Sequence, residues 1–219
     1  MQNSSLLEYF ENNTGRTIDK WIHYFDIYER YFHKYQNRPV NILEIGVYHG
    51  GSLQMWKHYF GLQAQIFGLD INPWCKSLEE DRIKIFIGDQ SDRLFLKSLK
   101  EIMPKIDILI DDGGHNMIEQ IVTFEELYSH IKDDGIYLAE DLHTSYWTEF
   151  GGGYRKRNSF IEYSKDLIDQ LNAWHSRDNE SFKVTDFTTS ANSIHYYDSI
   201  LIIEKHKRNP PITKKTGKL

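Results

Sequence analysis

The chain has 219 residues, enough to bury one sizeable core, whereas two full domains within that length would be cramped. Its 26 basic and 32 acidic side chains give a net charge of -6, without the basic excess that binding to a phosphate backbone needs, so nucleic acid is not expected as a partner. A single cysteine cannot form an internal disulfide, and no stretch approaches the roughly 18 apolar residues that span a bilayer, so we expect a cytoplasmic protein without membrane contact.

The first predicted element is an amphipathic helix over residues 17–35. Ile18, Trp21, Phe25 and Phe32 belong to a set of apolar side chains at helical spacing, and charged residues fill the opposite side. We expect this helix to cover one face of the core. A substrate-capping role and a contact between the subunits of a homo-oligomer are the alternatives. An N-terminal helical segment is therefore predicted at residues 1–38.

After this segment the pattern changes to short apolar runs separated by helical stretches. The runs are rich in β-branched and aromatic residues, and their alternation with helices favours βαβ units with right-handed crossovers. The five strands are predicted at residues 40–45, 65–69, 83–87, 106–110 and 135–139. The helices between them are predicted at residues 52–59, 93–102 and 117–131. This order predicts an α/β fold with a Rossmann-like, doubly wound, mostly parallel sheet.

The last part of the chain is predicted to complete the sheet. Residues 160–174 have helical spacing, and two β-like runs follow at residues 182–186 and 193–204. Polar residues 188–192 join the two runs and would close a hairpin, which predicts an antiparallel strand at the sheet edge. The Rossmann-like domain and a basic, mobile tail are therefore predicted at residues 39–205 and 206–219.

Candidate cofactor residues lie where the predicted strands end, because an open α/β sheet binds ligands beyond the carboxyl ends of its strands. The first strand ends in a glycine-rich turn, and Asp70 ends the second, where a carboxylate can accept both hydroxyls of an adenosine ribose. Glu44 would repel a pyrophosphate but suits the cationic amino-acid end of S-adenosylmethionine, so we expect this cofactor rather than a dinucleotide. After the end of the third strand, Asp89 or Gln90 is expected to bind the adenine. Asp89 could alternatively cap a helix. The candidates are Glu44, Gly46, Tyr48, Gly50, Ser52, Asp70, Asp89 and Gln90.

Acidic residues also end the fourth and fifth strands, at residues 111–112 and 140–141. If the two strands are neighbours in the sheet, their ends would bring these carboxylates together. Each carboxylate would then raise the pKa of the others unless a cation neutralises them. Oxygen ligands favour Mg²⁺, with Mn²⁺ or Ca²⁺ as substitutes, although either aspartate of the fourth strand could simply cap a helix. His115 follows at a helix start, where the helix dipole and a dication favour a neutral imidazole. It is the candidate general base, and His143 is the competing one.

Five short motifs occur at these positions and in the N-terminal segment. They are residues 17–20 (TIDK), 44–52 (EIGVYHGGS), 68–71 (GLDI), 111–115 (DDGGH) and 140–147 (EDLHTSYW). Together they resemble the motifs of the macrocin and mycinamicin sugar O-methyltransferases, a metal-dependent family of the catechol O-methyltransferase-like class. The resemblance implies the class I methyltransferase fold, with Mg²⁺ held by Asp112, Glu140 and Asp141. It also implies that Asp111 lies on the cofactor side and that His115 stands at the family's base position.

We therefore expect an S-adenosylmethionine-dependent O-methyltransferase that transfers a methyl group, assisted by Mg²⁺, to a hydroxyl of a sugar or related small polyol. Tyr146, Trp147 and Phe150, before a run of three glycines, are candidates to cover this acceptor or, alternatively, a hydrophobic plug under a surface loop. A hydroxylase related to the cephalosporin hydroxylase family is the enzyme alternative, but its 2-His-1-carboxylate iron site would have only His115 and His143 nearby. A module that binds S-adenosylmethionine without turnover is the non-enzyme alternative.

Overall fold

A seven-stranded sheet forms the centre of the computed structural model, which describes residues 5–178 and 180–218. A few positions of the predicted regions lie outside the described residues: residues 1–4 of the N-terminal segment, residue 179 of the domain and residue 219 of the tail. The strands are β1 (Asn41–Ile45), β2 (Gln65–Asp70), β3 (Ile83–Ile87), β4 (Ile106–Asp111), β5 (Ile131–Ala139), β6 (Ala191–Tyr197) and β7 (Ile200–Lys205). Their order is β3-β2-β1-β4-β5-β7-β6, with β1 to β5 parallel and β7 antiparallel to its two neighbours. The predicted mostly parallel sheet with an antiparallel edge is confirmed.

Helices cover both faces of this sheet. They are α1 (Leu6–Glu11), α2 (Tyr24–Phe32), α3 (Gly51–Phe60), α4 (Arg93–Ile102), α5 (Met117–Leu127), α6 (Phe160–Asn172) and α7 (Asp186–Ser190). Within the part of the chain that the structure describes, none of them is long and apolar enough to cross a membrane.

Two apolar clusters, one on each face, hold the sheet between the helices. Ile42 and Ile108 belong to the cluster formed with α1, α2 and α3, whereas Leu43 and Leu109 belong to the cluster formed with α4, α5 and α6. Because both faces are covered, the central strand β4 is buried along its whole length. Polar side chains that must reach a ligand therefore gather beyond the carboxyl ends of the strands.

The N-terminal segment differs from its prediction. Helix α2 begins only at Tyr24, so the helix predicted over residues 17–35 is wrong for residues 17–23. Here the segment crosses the start of α3, so closely that a Cβ on Gly51 would lie 2.4 Å from a backbone oxygen of this segment. Trp21, an apolar position of the predicted helix, is 56% exposed. Tertiary packing against α3 thus overrides the helical spacing, and the segment is free to line a cavity.

The hairpin at the sheet edge lies later in the chain than predicted. Residues 182–186 form no strand, because Thr185 instead caps α7 in a capping box. The predicted turn at residues 188–192 is also wrong, since the run 193–204 folds back on itself to form β6 and β7. The true turn ends at Ser199, whose φ of +64° is the left-handed conformation that tight hairpin turns need. Asp198 and Ser199 are two polar residues between apolar runs, which is a turn signal. The prediction overlooked it because it took the whole run as one strand.

Lys205, at the end of β7, gives a prediction about stability. Its buried ammonium donates hydrogen bonds to the carbonyls of Tyr128 (3.0 Å) and Ile131 (2.8 Å), and burial lowers its pKa from 10.5 to about 8. The unfolded chain therefore binds more protons between these two values, and stability contributed at this site rises as the pH rises through that window. The free energy of unfolding of wild type, relative to Lys205→Met, should increase by about 1–2 kcal/mol between about pH 7 and pH 9.5 in urea titrations. A difference that stays constant over this range would contradict the shift.

Candidate active site

The carboxyl ends of the parallel strands open into a cavity of about 800 Å³. It contains most of the side chains that the sequence singled out. The predicted residues that line it are Gly46, Tyr48, Ser52, Asp70, Asp89, Gln90, Asp112, His115, Glu140 and Asp141. Glu44, Gly50 and Asp111 are not among the lining residues, and their positions are described below.

The glycine-rich turn after β1 brings two strand exits together. Gly46 has a φ of +90°, and a Cβ at this position would lie 2.0 Å from the backbone oxygen of Asp112. Only glycine therefore allows the ends of β1 and β4 to approach this closely. Gly50, with a φ of +75°, forms the left-handed N-cap of α3 behind the cavity wall.

Asp70 braces the same turn. Its Oδ2 accepts hydrogen bonds from the backbone N–H groups of Val47 (2.8 Å) and Tyr48 (3.1 Å), and its Oδ1 accepts one from Asn72 (2.8 Å). A carboxylate has about four lone-pair sites, so three are used by the backbone, and a ligand hydroxyl would share the fourth with the neighbouring thiol of Cys75. The side chain thus shapes the turn and still faces the cavity.

Asp111 lies one layer behind the cavity. It is 1% exposed, and it accepts hydrogen bonds from Gln90 Nε2 (3.0 Å) and the hydroxyl of Tyr137 (3.3 Å). Burial raises its pKa to about 7. Gln90 Oε1 in turn accepts a hydrogen bond from the N–H of Gly114 (2.9 Å), so Asp111 reaches the cavity only through Gln90. Asp89 accepts hydrogen bonds from Ser91 and so is not the cap of α4, a position that Asp92 takes.

Lys20 lies at the centre of the acidic residues that end β1, β4 and β5. It was not among the predicted site residues. Its side chain is 2% exposed, and its Nζ donates to Asp112 Oδ2 (2.5 Å), to both oxygens of Glu140 (3.1 Å each) and to Glu44 Oε1 (3.3 Å). One ammonium therefore joins the ends of β1, β4 and β5.

Glu44 and Glu140 have further internal partners. Glu44 accepts hydrogen bonds from Ser52 (2.5 Å) and the indole of Trp56 (3.1 Å), and Glu140 accepts one from the hydroxyl of Tyr28 (2.7 Å). Both side chains are buried, but Glu140 lines the cavity and Glu44 does not, although its predicted cofactor role would place it there.

The electrostatics of this cluster are dominated by burial and by the lysine. Burial alone would lower the pKa of Lys20, but the carboxylates of Asp112, Glu140 and Glu44 together raise it well above its ordinary value. Burial is the largest cause that raises the pKa of Glu140, and the nearby carboxylate of Asp112 raises it further. Lys20 therefore stays charged, and it supplies part of the neutralisation that the sequence analysis assigned to a divalent cation alone.

A second group, Asp112, His115 and Asp141, offers three ligand atoms that all lie within 4.8 Å of one another. His115 Nε2 is 3.7 Å from Asp112 Oδ1 and 3.5 Å from Asp141 Oδ2. Asp141 has a φ of +55°, so the chain turns out of the sheet directly after Glu140 and the two carboxylates reach different partners. The hydroxyl of Tyr24 donates to Asp141 Oδ1 (2.7 Å) and holds this carboxylate in place.

The two candidate bases occupy different surroundings. Burial lowers the pKa of His115, which lines the cavity and is therefore neutral near pH 7. His143 does not line the cavity; its Nδ1 is 2.5 Å from the Ser199 hydroxyl and its ring packs between Trp21 and Trp147. His49 also lines the cavity, but it lies in the turn after β1, and His115 is the one histidine among the described residues that groups with the carboxylates. The arrangement therefore does not favour the two-histidine iron site of the hydroxylase alternative.

Three site residues that the sequence did not predict come from the N-terminal segment. Lys20 lies within the TIDK motif, and Tyr24 and Tyr28 follow it at a spacing of four residues, which places both hydroxyls on one side of α2. The available signal was the spacing of a lysine and two tyrosines at every fourth residue along the predicted helix. Each of the three has an acidic partner, Glu140 or Asp141, more than a hundred residues away in the chain.

Comparison with known proteins shows which proteins this chain resembles. No protein-family model matches the chain. It is 35% identical over 199 residues to a demethylmacrocin O-methyltransferase of Streptomyces fradiae, a match that covers 85% of this chain and 50% of that protein. It is 33% identical over 200 residues to a mycinamicin VI 2''-O-methyltransferase of Micromonospora griseorubida, covering 86% of this chain and 50% of that protein.

The solved structures agree with these relatives. The MycE methyltransferase of the mycinamycin biosynthetic pathway, in complex with Mg, SAH and mycinamycin VI, superposes with a TM-score of 0.85 at 30% identity. The match covers 94% of this chain and 54% of that structure, so the chain spans about half the length of the relatives that it matches. The chain therefore has the class I methyltransferase fold and, over that half, resembles the macrocin and mycinamicin sugar O-methyltransferases.

Proposed function

We propose that the protein is an S-adenosylmethionine-dependent O-methyltransferase that, with Mg²⁺, methylates a hydroxyl of a sugar or related small polyol. One observation carries the proposal: a neutral histidine, His115, faces Asp112 and Asp141 in the same cavity as the ribose-binding candidate Asp70. A base, a cation site and a nucleoside site in one cavity are what methyl transfer to a hydroxyl requires.

The residues fit a hard divalent cation. Ligand atoms of Asp112, His115 and Asp141 lie close together. His115 Nδ1 is buried and has no hydrogen-bond partner among the described residues, so no hydrogen bond from this atom holds the ring in another position. When all are ionised, the carboxylates of Glu44, Asp112, Glu140 and Asp141 carry four negative charges, of which Lys20 balances one. Mg²⁺ and the net single positive charge of S-adenosylmethionine would balance the other three. Asp112 and Asp141, with Glu140 as the third predicted ligand, would hold the ion.

A bound Mg²⁺ would lower the pKa of the acceptor hydroxyl and orient it. His115 Nε2 takes the proton of that hydroxyl, and the acceptor oxygen attacks the methyl carbon. The bond from carbon to sulfur breaks, its electrons stay on the sulfur, and S-adenosylhomocysteine leaves. Asp141 positions His115 and is itself positioned by Tyr24. The chain thus contributes a base and orientation, while the sulfonium supplies the reactive methyl group.

The acceptor is expected on the side of the cavity away from Asp70. Trp21 lines the cavity there, and the rings of His143 and Trp147 continue from it in edge-to-face contacts, 5.9 Å and 4.7 Å between centroids. Both tryptophans are about half exposed. Such aromatic surfaces suit the apolar face of a sugar ring, which supports the sugar class of acceptor.

The experiment that tests the function uses methyl-labelled S-adenosylmethionine. The protein is incubated with it and with small-molecule extracts, with and without Mg²⁺, and the labelled product is identified. A labelled sugar ether that forms only with Mg²⁺ is the expected result. Label transferred to protein or nucleic acid, or no transfer at all, would contradict the proposal.

The cofactor can be tested without an acceptor. S-adenosylhomocysteine at about 100 times its Kd should stabilise the folded protein by about 2.7 kcal/mol, seen as a rise in Tm, and Asp70→Ala should remove most of this gain. The matched control is Asp92→Ala, which removes the cap of α4 and costs about 1 kcal/mol of stability but should keep the response to ligand. Stabilisation by NAD instead would overturn the cofactor assignment.

A further inference from the structure

Lys20 and a divalent cation have overlapping partners. The ammonium contacts three carboxylates, and two of them, Asp112 and Glu140, are also predicted ligands of the cation. Its three N–H groups are directed at four oxygen atoms, so its donor capacity is used completely. No other lysine or arginine among the described residues forms an ion pair with these carboxylates.

The distances do not allow both cations to hold this pair of carboxylates fully. Lys20 Nζ lies 2.5 Å from Asp112 Oδ2 and 3.1 Å from both oxygens of Glu140. Mg²⁺ binds carboxylate oxygen at about 2.1 Å, so an ion on the same oxygens would lie within about 5 Å of the ammonium. Even at the dielectric constant of water, repulsion at that distance weakens cation binding by about tenfold or more.

Glu44 provides a place for the ammonium when the cation is bound. Its carboxylate is 3.3 Å from Lys20 Nζ, it is held by Ser52 and Trp56, and it does not line the cavity. A lysine that gives up Asp112 and Glu140 can therefore keep a buried counter-ion at Glu44.

We infer that Lys20 is an internal competitor of the divalent cation: its ammonium holds Asp112 and Glu140 until the cation takes them, and it thereby sets the cation affinity of the site. The inference rests on the metal centre of the proposed function. It gives the TIDK motif of the N-terminal segment a role at the metal centre. It also predicts an effect opposite to that of a purely structural lysine, because removing the positive charge should strengthen cation binding.

The test measures Mn²⁺ binding by electron paramagnetic resonance of the free ion, with no cofactor or acceptor present. The proteins are wild type, Lys20→Gln, which keeps a hydrogen-bond donor without the charge, and Lys20→Met. The matched control is Lys205→Met, which removes another buried lysine at the far end of β7. Both Lys20 variants should bind Mn²⁺ about tenfold or more tightly than wild type, and Lys205→Met should bind it as wild type does.

Stability in urea gives a second readout. The Lys20 variants leave the buried carboxylates of Glu44 and Glu140, and the partly exposed one of Asp112, without their ammonium. They should therefore be destabilised without Mn²⁺ and should gain more from it than wild type does. Mn²⁺ affinity in both Lys20 variants equal to or weaker than in wild type would overturn the inference, as would variants that stay unfolded in saturating Mn²⁺. Wild type that binds no Mn²⁺ at millimolar concentration would instead remove the metal centre of the proposed function, and the inference with it.

Discussion

Replacement of His115 by alanine is expected to lower the rate of methyl transfer by about 10² to 10⁴, the usual contribution of a positioned general base. His115 lines the cavity, and burial keeps its imidazole neutral and able to accept a proton. Its Nε2 lies between the carboxylates of Asp112 and Asp141, which would stabilise the imidazolium formed when the hydroxyl proton is transferred. Single-turnover rates at saturating cofactor and Mg²⁺ measure this step directly.

The affinity for S-adenosylhomocysteine is the control for this variant. The expected cofactor contacts are made by the turn after β1 and by Asp70, whereas the ring of His115 faces Asp112 and Asp141, so ligand affinity should change little. The same rate measurement on His143→Ala compares the two histidines, and the larger loss identifies the base. A loss below about threefold in His115→Ala, well short of the range for a positioned base, would remove this residue from the mechanism.

Removal of divalent cations is expected to abolish methyl transfer, and added Mg²⁺ should restore it. Asp141→Asn should raise the Mg²⁺ concentration needed for half-maximal rate by about tenfold or more, because affinity for a hard cation depends on the number of charged oxygen ligands. Asp141 is the better probe than Asp112, since it makes no ion pair with Lys20 that would break at the same time. Rates measured over a Mg²⁺ titration in chelator-buffered solutions give both quantities.

The matched control for Asp141 is Glu119→Gln. Glu119 also places a carboxylate in the cavity wall, but it forms the capping box of α5 and lies outside the cluster of Asp112, His115 and Asp141. Its amide variant should leave the Mg²⁺ requirement unchanged. Full activity of the wild type in excess chelator would exclude a metal-assisted reaction.

Much of the sheet could be predicted from the sequence because its signals are local. The five parallel strands are short apolar runs, and their order of alternation with helices allows few topologies. The antiparallel edge was predicted as well, but not its boundaries, because the turn before Ser199 depends on two polar residues within a long apolar run. The domain limits, the homo-oligomer, the cytoplasmic location and the lack of a nucleic-acid partner stay predictions.

The residues that leave the strand ends were also predictable, and ten of them line the cavity. The rule that ligands bind beyond the carboxyl ends of parallel strands is enough to find Asp70, Asp112 and Asp141. The same rule cannot distinguish a side chain that faces the cavity from one that is buried behind it. Asp111 and Glu44 were therefore predicted as site residues, but their placement one layer behind the cavity was not predicted.

The fold class, the glycine-rich turn and the acidic strand ends could be read from the sequence alone, because each depends on neighbouring residues or on strand ends. The division of the acids became visible only in the folded chain: Glu44 and Glu140 contact Lys20, whereas Asp141 contacts His115 and Tyr24. That division depends on where residues 17–23 cross the sheet end, and the segment follows α3 rather than its own helical spacing. The ammonium of Lys20 stays charged despite its burial because several carboxylates surround it, and residues so far apart in the chain are brought together by folding alone.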